Sequence, residues 1–172
     1  LLQGLLSQGR PVIIVGAHLA NWEWLGNALA AQLGWPIDVG YKPIRSPWAE
    51  RAVFALRSRF GVHLVPAKQL LMDLMKRRNI VRAVSLIGDQ APTTSDHQHW
   101  VDFLGRETAF YMGAEQMARA TRYPALFLAM RRVARGHYEI EFLPLSLPGE
   151  TLEPGEFTTR YARFVEAEIR RA

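Results

Sequence analysis

Apolar and polar positions alternate along this chain in two rhythms, and the changes of rhythm mark out its elements. Pro11–Val15 holds an unbroken β-branched run (Val12, Ile13, Ile14, Val15), as expected of a central strand covered on both faces. Trp22–Leu33 reads as a helix ended by Gly34, and Ile37–Tyr41 as a short strand. Pro47–Phe60 reads as a helix with proline at its start and Gly61 just past its end. His63–Val65 follows as a short strand. Lys68–Arg78 is a helix that would place Leu70, Leu71, Leu74 and Met75 on one face. Ala83–Ile87 is a strand, and Gly88–His99 a polar loop. Tyr111–Thr121 is helical, Ala125–Arg131 and Tyr138–Leu143 are strands, and Phe157–Arg171 is a closing helix. Leu1–Ser7 looks like the tail of a helix. Strands separated by helices predict an α/β fold with a mostly parallel central sheet flanked by helices. Val133–His137 is short enough for a hairpin, so an antiparallel edge is expected.

Bulk properties narrow this picture. The 172 residues, 49% hydrophobic, suffice for a single domain, 1–172, with a real core. There is no cysteine, which removes disulfides, thiol nucleophiles and Cys-based zinc sites. No apolar run approaches the ~20 residues that span a bilayer. The net charge of +5 invites an acidic partner: a phospholipid surface, a phosphorylated substrate, an acidic carrier protein or nucleic acid. Nucleic acid is disfavoured, because the chain has no dense Lys/Arg run and no RNP-type or helix-turn-helix pattern. Phosphate-loop, dinucleotide, serine-hydrolase-elbow and zincin motifs are all missing.

The candidate chemistry begins where the first strand stops. GAHLANWEWLG places His18 directly after the strand and Glu23 five positions later. Open α/β sheets put their chemistry at such carboxyl ends. Histidine is suited to proton transfer near neutral pH, and a carboxylate within reach can fix its tautomer. On a continuous helix five residues turn through roughly 500°, so the two would point apart. The pair therefore needs His18 on the loop and Glu23 in the first helical turn, with Asn21 as N-cap. A strand-end histidine and a first-turn acid of no joint purpose would fit the spacing equally well. Asp89, at the end of the Ala83–Ile87 strand, is either a site acid or a turn residue. Arg57 and Arg59 could grip a phosphate or carboxylate, or simply offset a helix dipole. His97 and His99 share a face if extended, but no third metal ligand accompanies them. Trp22, Trp24, Trp100, Phe103 and Phe110 fit either a core or an apolar groove for a lipid chain.

GAHLANWEWLG resembles the H-x4-[DE] block of the lysophospholipid acyltransferase superfamily. Its form G-x-H-x-x-N-W-E is most similar to the lipid A biosynthesis (late) acyltransferase branch. YKPI with the helix ending RSRFG, SLIGDQAP, and HWVDFLGRETAFYMGAEQMARATRYPALFLAMRR resemble later segments of that branch, in order. The E-G-[TS]-R block of the glycerol-phosphate branches is missing. The resemblance implies an α/β sandwich of the glycerol-phosphate acyltransferase type, and no cofactor or metal. It implies transfer of an acyl group from acyl carrier protein (or acyl-CoA) to a hydroxyl of a membrane lipid, at the cytoplasmic face of the bacterial inner membrane. It makes His18 the general base, oriented by Glu23. Asn21, Trp22, Arg57, Arg59 and Asp89 become substrate-binding or supporting residues. It also leads us to expect a fragment of a longer protein, lacking an N-terminal membrane helix and a C-terminal segment. A non-catalytic lipid- or carrier-binding module of the same fold is the competing expectation.

Overall fold

The computed structural model describes residues 1–94 and 96–172. In chain order it contains α1 (Leu2–Ser7), β1 (Val12–Gly16), α2 (Trp22–Leu33), β2 (Ile37–Tyr41), α3 (Pro47–Arg57) and β3 (His63–Pro66). Then come α4 (Leu70–Lys76, after one 3₁₀ turn), β4 (Ala83–Ile87), β5 (Gln98–Phe103), β6 (Arg106–Tyr111) and α5 (Gly113–Thr121). β7 (Ala125–Ala134), β8 (His137–Ser146) and α6 (Glu156–Arg171) complete it. The main sheet has the order β3-β2-β4-β1-β7-β8, parallel throughout except for β8, which pairs antiparallel with β7 at the edge. β5 and β6 form a separate antiparallel pair.

The continuous apolar run of β1 has a simple cause. Ile13 and Val15 face one core layer, against Tyr161 and Val165 of α6 and Leu74 of α4. Val12 and Ile14 face the other, against Leu5 and Leu6 of α1 and Leu25 and Leu29 of α2. Both faces of β1 are covered, so no alternation survives in its sequence.

The start of β4 anchors the sheet with charge. Arg82, fully buried, donates from Nε to Asp38 Oδ2 at 2.6 Å and from Nη1 to the carbonyls of Arg77 (2.5 Å) and Ile80 (2.9 Å). Arg77 adds a second contact to Asp38 at 2.5 Å. This network ends α4 early: the helix stops at Lys76, and Arg77 turns aside to Asp38. Of the expected α4 face, Leu70 and Leu74 are buried, whereas Leu71 and Met75 are exposed. α3 also stops sooner than its pattern suggested, at Arg57, where the Ser58 hydroxyl donates back to the Phe54 carbonyl.

The β5–β6 hairpin is the largest departure from the sequence reading. It lies almost wholly where the pattern predicts no element, overlapping the expected polar loop at Gln98 and His99 and the expected helix at Tyr111 alone. Leu104 and Gly105 both have positive φ (55° and 75°), the backbone that a tight two-residue turn needs. Leucine seldom takes that conformation, so the turn carried no strong signal.

Candidate active site

Strand register builds the site. β1 and β4 pair in parallel with Gly16 opposite Ile87, so the residues two steps on, His18 and Asp89, emerge side by side. Gly88 donates its N–H to the Gly16 carbonyl at 3.1 Å. Glycine suits the crowding there: a Cβ on Gly88 would sit 3.0 Å from Val15 Cγ1 and 3.2 Å from the Tyr161 ring, so those side chains would have to give way. The Tyr161 hydroxyl donates to the same Gly16 carbonyl at 2.8 Å. Burial first, and then the Asp89 charge, pushes the Tyr161 phenol well above its ordinary 10.0, which keeps it a neutral donor.

Asp89 holds His18 at two points. Its Oδ2 accepts the His18 backbone N–H at 2.9 Å, and its Oδ1 lies 2.6 Å from His18 Nδ1. A carboxylate can only accept, so Nδ1 carries the proton and Nε2 keeps its lone pair. The Trp22 ring meets the imidazole edge-on, with centroids 4.7 Å apart at 77°. Between His18 and α2 the chain turns through Ala20 at φ 50°, a left-handed conformation that costs an alanine about 1–2 kcal/mol. Such strain commonly gathers at functional sites.

Glu23 has a different partner from the one expected. It lies in the first turn of α2 and receives Arg57 Nε at 3.1 Å, with Arg57 Nη2 on its other oxygen. The reason is position: α3 ends beside α2 and delivers a full charge in fork geometry, while register puts Asp89 against His18. The acid hydrogen-bonded to His18 is thus Asp89. Arg57 also lies over the Trp22 ring, 5.8 Å from its centroid. Asn21 occupies the N-cap position of α2, yet its side chain makes no capping bond.

A cavity of about 350 Å³ opens beside these groups. Leu25, Val39, Leu64, Leu70, Leu86 and Met117 supply apolar walls, and His18, Glu23, Arg57, Lys42 and Gln90 supply polar lining. This volume is in the usual range for a ligand pocket. Trp22 lines it too, but Arg59 does not: its guanidinium lies over Phe60, 5.8 Å from the ring. His97 and His99 have separate surroundings. His97 is exposed, and the His99 ring bonds the Thr159 hydroxyl at 3.0 Å. Sequence reasoning missed Tyr161, whose spacing with Phe157 and Val165 reads only as core, and it gave no separate role to Lys42 of the YKPI segment.

A histidine held by a carboxylate, at the carboxyl end of a parallel sheet and beside an apolar cavity with cations in its wall, is an arrangement that could support base-assisted group transfer to or from a chain-bearing substrate. The chain matches the bacterial lipid A biosynthesis acyltransferase family over residues 2–172, and it belongs to that family. It is therefore an enzyme that moves acyl groups in lipid A biosynthesis, with an acyl donor and a lipid acceptor. No curated protein matches it.

Proposed function

We propose that the protein transfers a fatty acyl group from acyl carrier protein to a hydroxyl of a lipid A precursor, with His18 as general base. The observation that carries this reading is the contact of His18 Nδ1 with Asp89, made by a histidine that lines the cavity; it leaves Nε2 of the neutral ring free to accept a proton. Nε2 takes the proton of the acceptor hydroxyl, and the oxygen attacks the thioester carbonyl. As the tetrahedral intermediate collapses, the carbon–sulfur bond breaks and the imidazolium returns its proton to the leaving thiolate. Asp89 fixes the tautomer and stabilises the imidazolium that forms. The apolar cavity accepts the acyl chain. Glu23 holds Arg57 against the cavity wall, where Arg57 and Lys42 offer positive charge to the acceptor's phosphate or to the developing oxyanion. Arg59, outside the cavity, is left to meet the carrier or a lipid headgroup. The chemistry consumes no cofactor. The lipid acceptor and the positive charge together favour work on a membrane surface, at the cytoplasmic face of the inner membrane. No helix among the described residues is long and apolar enough to cross a membrane.

The test is an acyl-transfer assay. Radiolabelled acyl carrier protein and acyl-CoA are each offered to a panel of lipid acceptors, with wild type beside His18→Ala. Transfer to the lipid A precursor from the carrier, lost in His18→Ala, is the expected result. Equal transfer by both proteins would remove His18 from the chemistry. Carrier binding without any transfer by folded wild type would favour the binding-module reading.

A further inference from the structure

Helix α3 is packed inside out. It contributes no buried residue, whereas every other α-helix buries at least two. Its inward contacts are mainly polar. Glu50 accepts from the Tyr41 hydroxyl (3.0 Å) and the Ile44 N–H (2.7 Å), Arg57 pairs with Glu23, and the Leu56 carbonyl accepts from Asn27 at 3.0 Å. Two of its large apolar side chains point to solvent instead: Trp48 is 77% exposed and Leu56 59%. Phe54 meets the Tyr41 ring at 6.2 Å while staying partly open, and Phe60, just past the helix, is exposed as well. Trp24 of α2, the helix packed beside it, is 65% exposed. Lys42, Arg45, Arg51 and Arg59 surround this face, and none has a carboxylate partner among the described residues. Glu50, the one acid of α3, is turned inward.

Clustered exposed aromatics mark an interaction surface, and the chemistry of this one selects its partner. Tryptophan with leucine on one face, ringed by cations without carboxylate partners and free of outward acid, is what an amphipathic helix shows when it lies in a bilayer interface. Eleven residues make a helix about 16 Å long, suited to lying along a membrane and too short to cross one. Its position fits as well. Arg57 of α3 and Lys42 just before it line the cavity that holds His18. We propose that the outward face of α3, with Trp24 and Phe60, seats the protein on an anionic lipid surface and brings the cavity mouth to headgroup level. The proposal rests on the lipid-acceptor reading and extends it: the acceptor hydroxyl reaches His18 without its acyl chains leaving the bilayer.

The experiment is flotation of the purified protein with vesicles of phosphatidylcholine and phosphatidylglycerol. It uses wild type, His18→Ala, Trp48→Ser/Leu56→Ser and Arg45→Gln/Arg51→Gln, each checked for folding by circular dichroism. All the altered α3 and α3-flanking positions are exposed, so the fold is expected to survive. Trp48→Ser/Leu56→Ser should bind vesicles more weakly by about tenfold or more per side chain. Arg45→Gln/Arg51→Gln should lose about fivefold per arginine, and only this loss should vanish in high salt. His18→Ala should bind as wild type while failing to transfer acyl groups, so the base and the surface can fail separately. Acyl transfer to a detergent-dispersed acceptor should be untouched in the α3 variants and reduced when the acceptor is in vesicles. Wild-type vesicle binding by both α3 variants would overturn the proposal. So would variants that float normally but lose binding to immobilised acyl carrier protein, which would make the face a carrier dock.

Discussion

The two ends of β4 carry the same kind of interaction in opposite circumstances. At its start, Arg82 is sealed from solvent against Asp38, with two carbonyls also accepting from it and a second arginine on the same carboxylate. Just past its end, Asp89 holds His18 with a quarter to a third of each side chain open, 22% and 34%. A buried pair is costly to assemble and worse to break, because removing one partner strands the other charge. A half-exposed pair adds little stability, but its groups can meet a substrate and pass protons. Five residues of strand thus separate a sealed network from the open pair to which we assign the chemistry.

The sharpest way to break this contrast is to alter each end in turn. His18→Ala should lower acyl transfer by about 10²–10⁴-fold and leave the thermal midpoint unchanged. A large drop in the midpoint would show that the carboxyl end is structural after all. Asp38→Ala should do the reverse. It should cost about 3–5 kcal/mol of stability by denaturant titration, because Arg82 is left buried without its carboxylate. Transfer per folded molecule should persist, and its loss at full stability would erase the distinction between the two ends.

Two smaller effects refine the account. Gly40 lines the cavity, and a Cβ there would meet Leu70 Cδ2 at 2.8 Å. Leu70 lines the same cavity, so a methyl that swings into it takes up space there. Gly40→Ala should therefore fold and discriminate against longer donors, by about fourfold for each methylene that no longer fits. A chain-length series of acyl donors checks this. The smallest effect lies away from both ends of β4. The bonds from Arg131, chiefly, hold the Glu168 carboxyl below its ordinary 4.5. A depressed folded-state value contributes stability that is complete above the unfolded-state value and lost as pH falls through the folded-state one. Stability should thus decline below about pH 4.5, and Arg131→Gln should flatten that decline in acid titrations followed by circular dichroism.

Much of this was legible in the residues, for definable reasons. β1 and β4 were readable because burial on both faces leaves unbroken apolar runs, and α2 because Gly34 closes it at φ 71°. The antiparallel edge followed from a short connection between two strands. His18 was readable as a strand-end histidine, and Asp89 as a strand-end acid. Their contact was not, because it depends on the register that sets Gly16 against Ile87, a property of two strands 71 residues apart. Sequence proximity favoured Glu23 as the partner of His18, and Arg57, readable as a carboxylate grip, gave no sign that the carboxylate it takes is Glu23 of another helix. The β5–β6 hairpin was missed because its turn uses a leucine in a conformation that leucine rarely adopts. The inside-out packing of α3 was hidden as well, since amphipathic spacing shows two faces but not which one turns outward.

The most direct test of the central claim, that Asp89 makes His18 a base, is the tautomer of the His18 imidazole by nitrogen NMR of histidine-labelled protein. The account predicts a neutral ring protonated at Nδ1 in wild type and in Glu23→Gln, and a ring shifted toward Nε2 protonation in Asp89→Asn. A wild-type ring protonated at Nε2, or a switch caused by Glu23→Gln and not by Asp89→Asn, would contradict it.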